Sequence, residues 1–152
     1  MTLNKAWAAG FFDGEGCITI TEQKTIDSKN PSYHPIVTLT NSQRATLMLF
    51  QREYGGKVSL VAPVGTPHKS GLYWCQTDTN GWYCPLRSVP QLLVDLLPYM
   101  KIKIKQAHLI LRFLKERRLY RTSSGNRVPT HDIRKRKWFY LQFKALNGHK
   151  QR

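Results

Sequence analysis

Residues 6–20, AWAAGFFDGEGCITI, constrain the fold more than any other stretch of this chain. Ala6, Ala9, Gly10 and Asp13 recur at helical spacing, and Trp7 and Phe11 fall on the opposite side. The spacing predicts a short helix over 4–13 with one face almost bare of side chains and one bulky face. Asn4 suits its N-cap, and Gly14 and Gly16 suit its end. A face of small residues lets another backbone come close. Two carboxylates, Asp13 and Glu15, stand at the helix C-terminus, where the backbone dipole is negative and disfavours them. Acids kept there call for a compensating cation. That cation is a Lys, an Arg or a divalent ion such as Mg²⁺, which takes oxygen ligands and keeps several waters. If two copies of the helix meet, two Glu15 side chains and two Gly14 carbonyls converge.

After Gly16 the period changes to two. Ile18 and Ile20 alternate with Thr19, Thr21, Gln23 and Thr25, which predicts a strand to about Ile26. A loop with Pro31 leads to a second strand over 33–40, and the two form a hairpin. Asn41 or Ser42 suits the N-cap of a helix to Tyr54, with Leu47, Phe50 and Tyr54 on one side and Gly55-Gly56 as its stop. Residues 57–62 and 72–77 are strand-like. Asn80-Gly81 signals a hairpin turn, with a further strand to about Leu86. The pairing of these strands stays open. SVPQLLVDLLPYM is a helix stopped at Pro98. KIKIK alternates, which places Lys101, Lys103 and Lys105 on one face, and a helix follows to about Tyr120. The final helix over 131–146 presents Trp138, Leu141, Ala145 and Leu146 for packing. The order is αββ-αββ-αα with one more helix, an α+β class in a single domain, with no repeat of the opening motif.

The charge balance is the second constraint. Lys and Arg number 24 against 9 Asp and Glu, a net charge of +15, which suits a polyanion, above all nucleic acid. No window of 18 uncharged apolar residues occurs, no polybasic run flanks a lipid-inserting helix, and the N-terminus lacks a signal-peptide pattern. Neither a membrane nor secretion is expected. Cys17, Cys75 and Cys84 are odd in number and lack metal-ligand spacing, so structural zinc and a disulfide framework are not expected, and a reducing compartment is.

Ala8-Ala9-Gly10-Phe11-Phe12-Asp13-Gly14-Glu15-Gly16 resembles the LAGLIDADG motif of homing endonucleases. The similarity continues in order through CITI, LTNSQ, YGGKV and LLPYMKIKIKQA, over roughly residues 4–120, and leaves 121–152 as a basic C-terminal helical extension. The resemblance implies an αββαββα core whose antiparallel, saddle-shaped sheet lies in the major groove of double-stranded DNA. A single motif implies a homodimer with the motif helices at the interface, through Ala6, Ala9, Gly10 and Asp13. It implies metal-dependent phosphodiester hydrolysis of both strands, with no covalent intermediate. Glu15 and the Gly14 carbonyl take the places of the metal ligands, and Asp13 that of a structural acid. Mg²⁺ is the implied cofactor, with Mn²⁺ as a substitute and Ca²⁺ binding without supporting cleavage. Lys103 matches the family's supporting basic residue. Asn41 matches the start of its water-ordering pocket, with Gln43 and Arg44 beside it. Family members are commonly encoded in mobile introns, which implies intron homing and an organellar (chloroplast or mitochondrial) or archaeal setting.

On such a saddle the outward residues are Thr19, Thr21, Gln23 and Thr25, then Ser32, His34, Ile36 and Thr38, then Ser59, Val61, Lys69, Tyr73 and Gln76. Gln can bond adenine bidentately, and Thr and Ile methyls can meet thymine methyls. Few of these are basic, so shape and water carry part of the recognition. The basic excess of the C-terminal third suits phosphates on the duplex flanks. Two rival functions stand beside the endonuclease: an intron RNA maturase, and a relative that binds DNA without cutting it. An intact Glu15 favours the enzyme.

Overall fold

The computed structural model describes residues 3–24, 30–67, 74–119 and 130–148. The elements are α1 (Lys5–Glu15), β1 (Gly16–Gln23), β2 (Ser32–Asn41), α2 (Arg44–Tyr54), β3 (Lys57–Ala62), β4 (Thr79–Tyr83), α3 (Val89–Leu96), α4 (Ile104–Leu119) and α5 (Thr130–Leu146). The strands form one antiparallel sheet in the order β1-β2-β4-β3. The expected α+β class and αββ-αββ order hold, but 72–77 is not a strand: of its described residues only Trp74 bridges, to Pro67. Two compact units make up the chain: one of residues up to Cys17 with Val37–Lys101, the other of Ile18–Ile36 with Ile102 onward.

In the first unit, the Asn4 side chain caps α1 by accepting from the Trp7 amide at 3.0 Å. Ala8, Ala9 and Phe12 are wholly buried, and α1 packs against α3. α3 starts with Pro90 in its first turn and buries Val89, Leu92, Leu93 and Leu96. α2 buries Leu47, Phe50 and Tyr54 at the expected spacing. It stops where Gly55 and Gly56 take φ of +75° and +94°. A Cβ on Gly56 would also lie 2.2 Å from the Tyr83 carbonyl oxygen, so both conformation and space require glycine there. Phe50 stacks obliquely on buried Trp82, 5.5 Å between ring centres, and the Trp82 indole donates to the Gly55 carbonyl at 2.9 Å. Lys5 joins three helices: its Nζ lies 2.7 Å from Glu53, 2.8 Å from Asp95 and 3.0 Å from the Tyr54 hydroxyl.

The strand pairs open from sequence are now defined. β4 runs antiparallel to both neighbours, with Leu39 and Val58 opposite Trp82, and Thr40 and Ser59 opposite Gly81. Asn80-Gly81 is therefore the middle of a strand, not a turn. Gly81 is needed because a Cβ there would lie 2.7 Å from Val61 Cγ2. The strand ends at Tyr83, short of the expected Leu86, and a 3₁₀ turn over Leu86–Ser88 follows. Neither Asn41 nor Ser42 caps α2. Gln43 is the N-cap residue without a side-chain bond, and Asn41 Oδ1 instead accepts from the Gln43 amide at 2.8 Å and turns the chain. The KIKIK alternation does not make a strand: residues 101–103 bend and α4 opens at Ile104. The tail of the expected first strand, Thr25 and Ile26, lies outside the described residues, as do Leu72 and Tyr73.

In the second unit, Ile18 and Ile20 of β1, Tyr33 of β2, Ala107, Ile110 and Phe113 of α4, and Phe139 and Phe143 of α5 are buried. Phe113 meets Phe139 edge to face at 5.4 Å. Tyr33 packs on Tyr140 at 5.7 Å and donates to Glu22 at 2.8 Å, and burial with that neighbouring carboxylate pushes its phenol above the ordinary range. Asn147 donates to the Ile18 carbonyl at 3.2 Å. The expected packing face of the last helix is thus displaced. Trp138, Ala145 and Leu146 are exposed and Leu141 is half-buried, because Phe139 and Phe143 take the inward positions. No helix among the described residues is long and apolar enough to cross a membrane.

Partial burial raises the Asp95 carboxyl, but bonds from Lys5, Tyr54 and Gln91 outweigh it and leave the group below its ordinary 3.8. A carboxyl lowered by folding adds stability above its unfolded value and loses it as pH falls through the folded value. Asp95→Asn is expected to lower the melting temperature clearly at about pH 6 and much less at about pH 3. Melting curves at both pH values check this; equal losses would rule out the linkage.

Candidate active site

α1 runs two residues past the expected end, so Glu15 is its last residue and Gly16 its C-cap. Gly16 has an extended conformation, φ −77° and ψ 150°, so it is not required for its backbone angles. It is required for space: a Cβ would lie 2.5 Å from the Phe12 carbonyl oxygen and 2.9 Å from the Phe12 ring. The glycine lets β1 leave the helix tightly over Phe12, immediately after Glu15.

The two acids have different surroundings. Asp13 is 6% exposed, and its Oδ2 accepts the Lys101 amide at 2.5 Å, 88 residues away. It ties the end of the motif helix to the segment after α3. Glu15 is exposed, and Gly14 beside it has open space where a Cβ would be. The last carbonyls of a helix have no partner within it and carry its negative dipole end. The Glu15 carboxylate and the Gly14 carbonyl are thus hard oxygen donors in a negative field, a set that fits a divalent ion such as Mg²⁺. Among the described residues no group of three His, Cys, Asp or Glu comes together. Burial pushes the Cys84 thiol up to about 12, which keeps it protonated and unsuited to nucleophilic attack.

The other residues singled out from the sequence fall into two groups. In the first unit, Asn41 is half-buried, and Gln43 and Arg44 are exposed at the start of α2. Asn80, opposite Asn41 in the sheet, is buried; it accepts from Arg44 at 3.4 Å and donates to the Ser42 carbonyl at 3.4 Å. Asn80 had been hidden by the turn reading of Asn80-Gly81. In the second unit, Lys103 is half-buried in the bend before α4, and Lys105 is exposed on the first turn of that helix.

The proposed interface stripe divides. Ala9 is fully buried and Asp13 nearly so within the single chain, whose α1 packs against α3, so these two present no free face to a partner. Ala6 and Gly10 are exposed, and Gly14 continues them four residues on. Trp7, 45% exposed, flanks them and stacks on Phe11 at 5.4 Å.

The sheet alternates as expected. Ile18, Ile20, Tyr33, Val37, Leu39, Val58 and Trp82 are buried. Thr19, Thr21, His34, Ile36, Thr38 and Ser59 are half-exposed, and Gln23, Ser32 and Val61 are exposed. His34 bonds Ser32 at 2.9 Å, and Thr21 Oγ1 donates to the His34 carbonyl at 3.4 Å. Gln76 is exposed but lies between the strands rather than in one. Thr25, Lys69 and Tyr73 lie outside the described residues. The sequence reading missed Lys57, Thr40 and Tyr83. The register puts Lys57, Tyr83 and Thr38 in one outward row, and Ser59, Gly81 and Thr40 in the next. The buried Val58–Trp82 pair sets that parity, which the misplaced turn concealed.

No protein-family model and no curated protein matches the sequence. Solved structures do resemble it. The homing endonuclease I-CvuI, in complex with the I-CreI target in the presence of Mg, superposes with a TM-score of 0.71 at 22% identity, over 97% of this chain and 83% of that one. The archaeal intron-encoded homing endonuclease I-Vdi141I complexed with DNA gives 0.69 at 12% identity, over 97% and 84%. The LAGLIDADG homing endonuclease I-GzeII in complex with its DNA target gives 0.69 at 14% identity, over 95% of this chain and 46% of that one. The chain has the LAGLIDADG homing-endonuclease fold.

The unequal surroundings of the two acids have a direct thermodynamic consequence. Asp13→Ala removes the buried acceptor of the Lys101 amide and is expected to cost about 2–3 kcal/mol of stability. Glu15→Ala, at an exposed site, is expected to change it by less than about 0.5 kcal/mol. Denaturant titration of both variants tests the division; equal costs would contradict it.

Proposed function

We propose that this chain is a site-specific DNA endonuclease acting as a homodimer. It hydrolyses both strands of a long pseudo-palindromic duplex with a divalent metal ion and so initiates intron mobility. The observation that carries the reading is Glu15: an exposed carboxylate at the negative end of α1, beside an open Gly14, at the point where the chain enters the sheet. The fold supports it, because the neighbours described above are homing endonucleases bound to DNA. The net charge of +15 suits a polyanionic duplex.

Glu15 and the Gly14 carbonyl are the residues that would hold the ion. A bound Mg²⁺ supplies Lewis-acid stabilisation of the charge that builds on the scissile phosphate and makes water a competent nucleophile. The chain's own contributions are positional. Asp13 fixes the end of α1 through Lys101 and so fixes the backbone carrying Glu15. Lys103 is the candidate for a cation beside the reacting phosphate, and Asn41 and Gln43 are candidates for ordering water. The outward rows from Thr19 to Tyr83 meet the groove: Gln23 and His34 offer hydrogen bonds to base edges, and Ile36, Val61 and the threonine methyls offer apolar contacts. A homodimer forms over Ala6 and Gly10, with Trp7 at its rim, and brings two Glu15 carboxylates to the two strands.

Incubation with a randomised duplex library tests this reading. Discrete breaks sharing a long motif are expected with Mg²⁺, and retention without breaks with Ca²⁺. Glu15→Gln is expected to lower cleavage by at least about a thousandfold while leaving specific binding within a few-fold, since it removes charge from the ion site and not groove contacts. Loss of cleavage and binding together would remove Glu15 from the ion site. Gly10→Leu meets open space within one chain, so it is expected to fold normally and sediment as a monomer. An intact dimer with full activity would sink the interface.

A further inference from the structure

We propose that Asn80 is a positioning residue for cleavage. From within β4 it holds the segment that enters α2, so that the Arg44 guanidinium is aimed at the charge on the reacting phosphate. The inference rests on the endonuclease reading and adds a residue to it.

Asn80 is 6% exposed, and Gly81 and Trp82 beside it are buried as well. Asparagine is a poor strand former, and a buried amide costs stability unless both of its ends are bonded. Both are. Asn80 Oδ1 accepts from Arg44 Nη1, and Nδ2 donates to the Ser42 carbonyl, each at 3.4 Å. Arginine can only donate and a carbonyl can only accept, so the two partners fix which way the amide faces. Opposite Asn80 on the neighbouring strand, Asn41 accepts the Gln43 amide with its Oδ1 at 2.8 Å. Two side-chain amides thus hold the chain from 41 to 44, where the N-cap residue of α2 makes no side-chain bond.

Arg44 gains little stability from its place. It is exposed on the first turn of α2, where the helix dipole is positive and disfavours a cation, and no acid stands in that turn. Glu15 is misplaced in the opposite sense at the end of α1. Both lie at one end of the sheet. β1 opens directly after Glu15, its antiparallel neighbour β2 closes at Asn41, and Asn80 pairs with Asn41. All of these residues belong to the first unit. A phosphate bound at that end supplies the negative charge that Arg44 lacks. The guanidinium is planar and serves only in the right orientation, and a misplacement of about 1 Å can cost about a hundredfold in rate. The Asn80 amide fixes that orientation from below, without itself meeting the substrate.

The test uses the full-length protein and the duplex site recovered from the library. Three quantities are measured: single-turnover cleavage in Mg²⁺, affinity for the site in Ca²⁺, and the melting temperature without metal. Asn80→Leu keeps the size of the side chain and removes both bonds. It is expected to slow cleavage about a hundredfold while affinity stays within about threefold. Asn80→Thr, a strand former whose hydroxyl is too short to span both partners, is expected to do the same and carries the test if the leucine variant does not fold. Arg44→Ala, at an exposed site, is expected to slow cleavage by a similar factor. Adding Asn80→Leu to it is expected to slow cleavage by no more than about threefold further, because Asn80 acts through Arg44. A lower melting temperature with cleavage intact would make Asn80 a structural residue only and overturn the proposal. So would a loss of affinity equal to the loss of rate, or losses that multiply in the double variant. Full cleavage in Asn80→Leu beside an inactive Glu15→Gln would refute this inference alone. A chain that cuts no duplex, or cuts as fast with Glu15→Gln, would refute the endonuclease reading and this inference with it.

Discussion

The bond from Asp13 to the Lys101 amide organises the functional end of the first unit. A helix C-terminus is a poor place for a carboxylate unless a donor compensates it. Asp13 finds that donor in the backbone after α3, and the cost of burying its charge is met by a charge-assisted bond. The same bond closes a contact across 88 residues and holds α1 against α3. With Asp13 committed to the fold, Glu15 two residues later is left facing solvent. Neighbouring acids in one motif thus take opposite duties, one structural and one available for chemistry.

A second set of contacts gives the sheet its two faces. Trp82 fills the inward side between Phe50 and the Gly55 carbonyl, and Gly81 beside it has no side chain at all. Val61 and Tyr83 close over that gap on the outward side. The result is an outward face that mixes half-exposed threonines with two apolar side chains and Lys57. Such a surface suits recognition through shape and methyl contacts more than through dense ionic bonding.

Much of this was legible in the sequence, and for identifiable reasons. The apolar periods of α2 and α3 and the alternation of β1 and β2 depend on local spacing, and Leu47, Phe50, Tyr54, Val37 and Leu39 are buried as that spacing requires. The errors came where long-range packing decides. Asn80-Gly81 favours a turn locally, but Val61 needs the missing Cβ within a strand. The stripe Ala6, Ala9, Gly10 and Asp13 spans an arc broad enough for half of it to be buried within the chain, and no local signal marks the dividing line. On α5 the aromatics Trp138, Phe139 and Tyr140 are consecutive, so composition could not tell which would point inward. Of the candidate site, Glu15 and Gly14 followed from the motif alone, whereas Tyr83, Thr40 and Lys57 depended on a strand register that only the fold provides.

The position of β3 at the margin of the sheet has one more consequence. A marginal strand presents unpaired amides and carbonyls, and here it also carries Leu60 and Val61, each 51% exposed. Such a ribbon can template the addition of foreign strands and lead to aggregates. The irregular register between Leu60 and Ala62 interrupts the ladder, and Pro63 follows with no amide to donate. The row of open bonding groups is cut to a few residues. Leu60 and Val61 thereby stay exposed with little ladder left for a foreign strand to join.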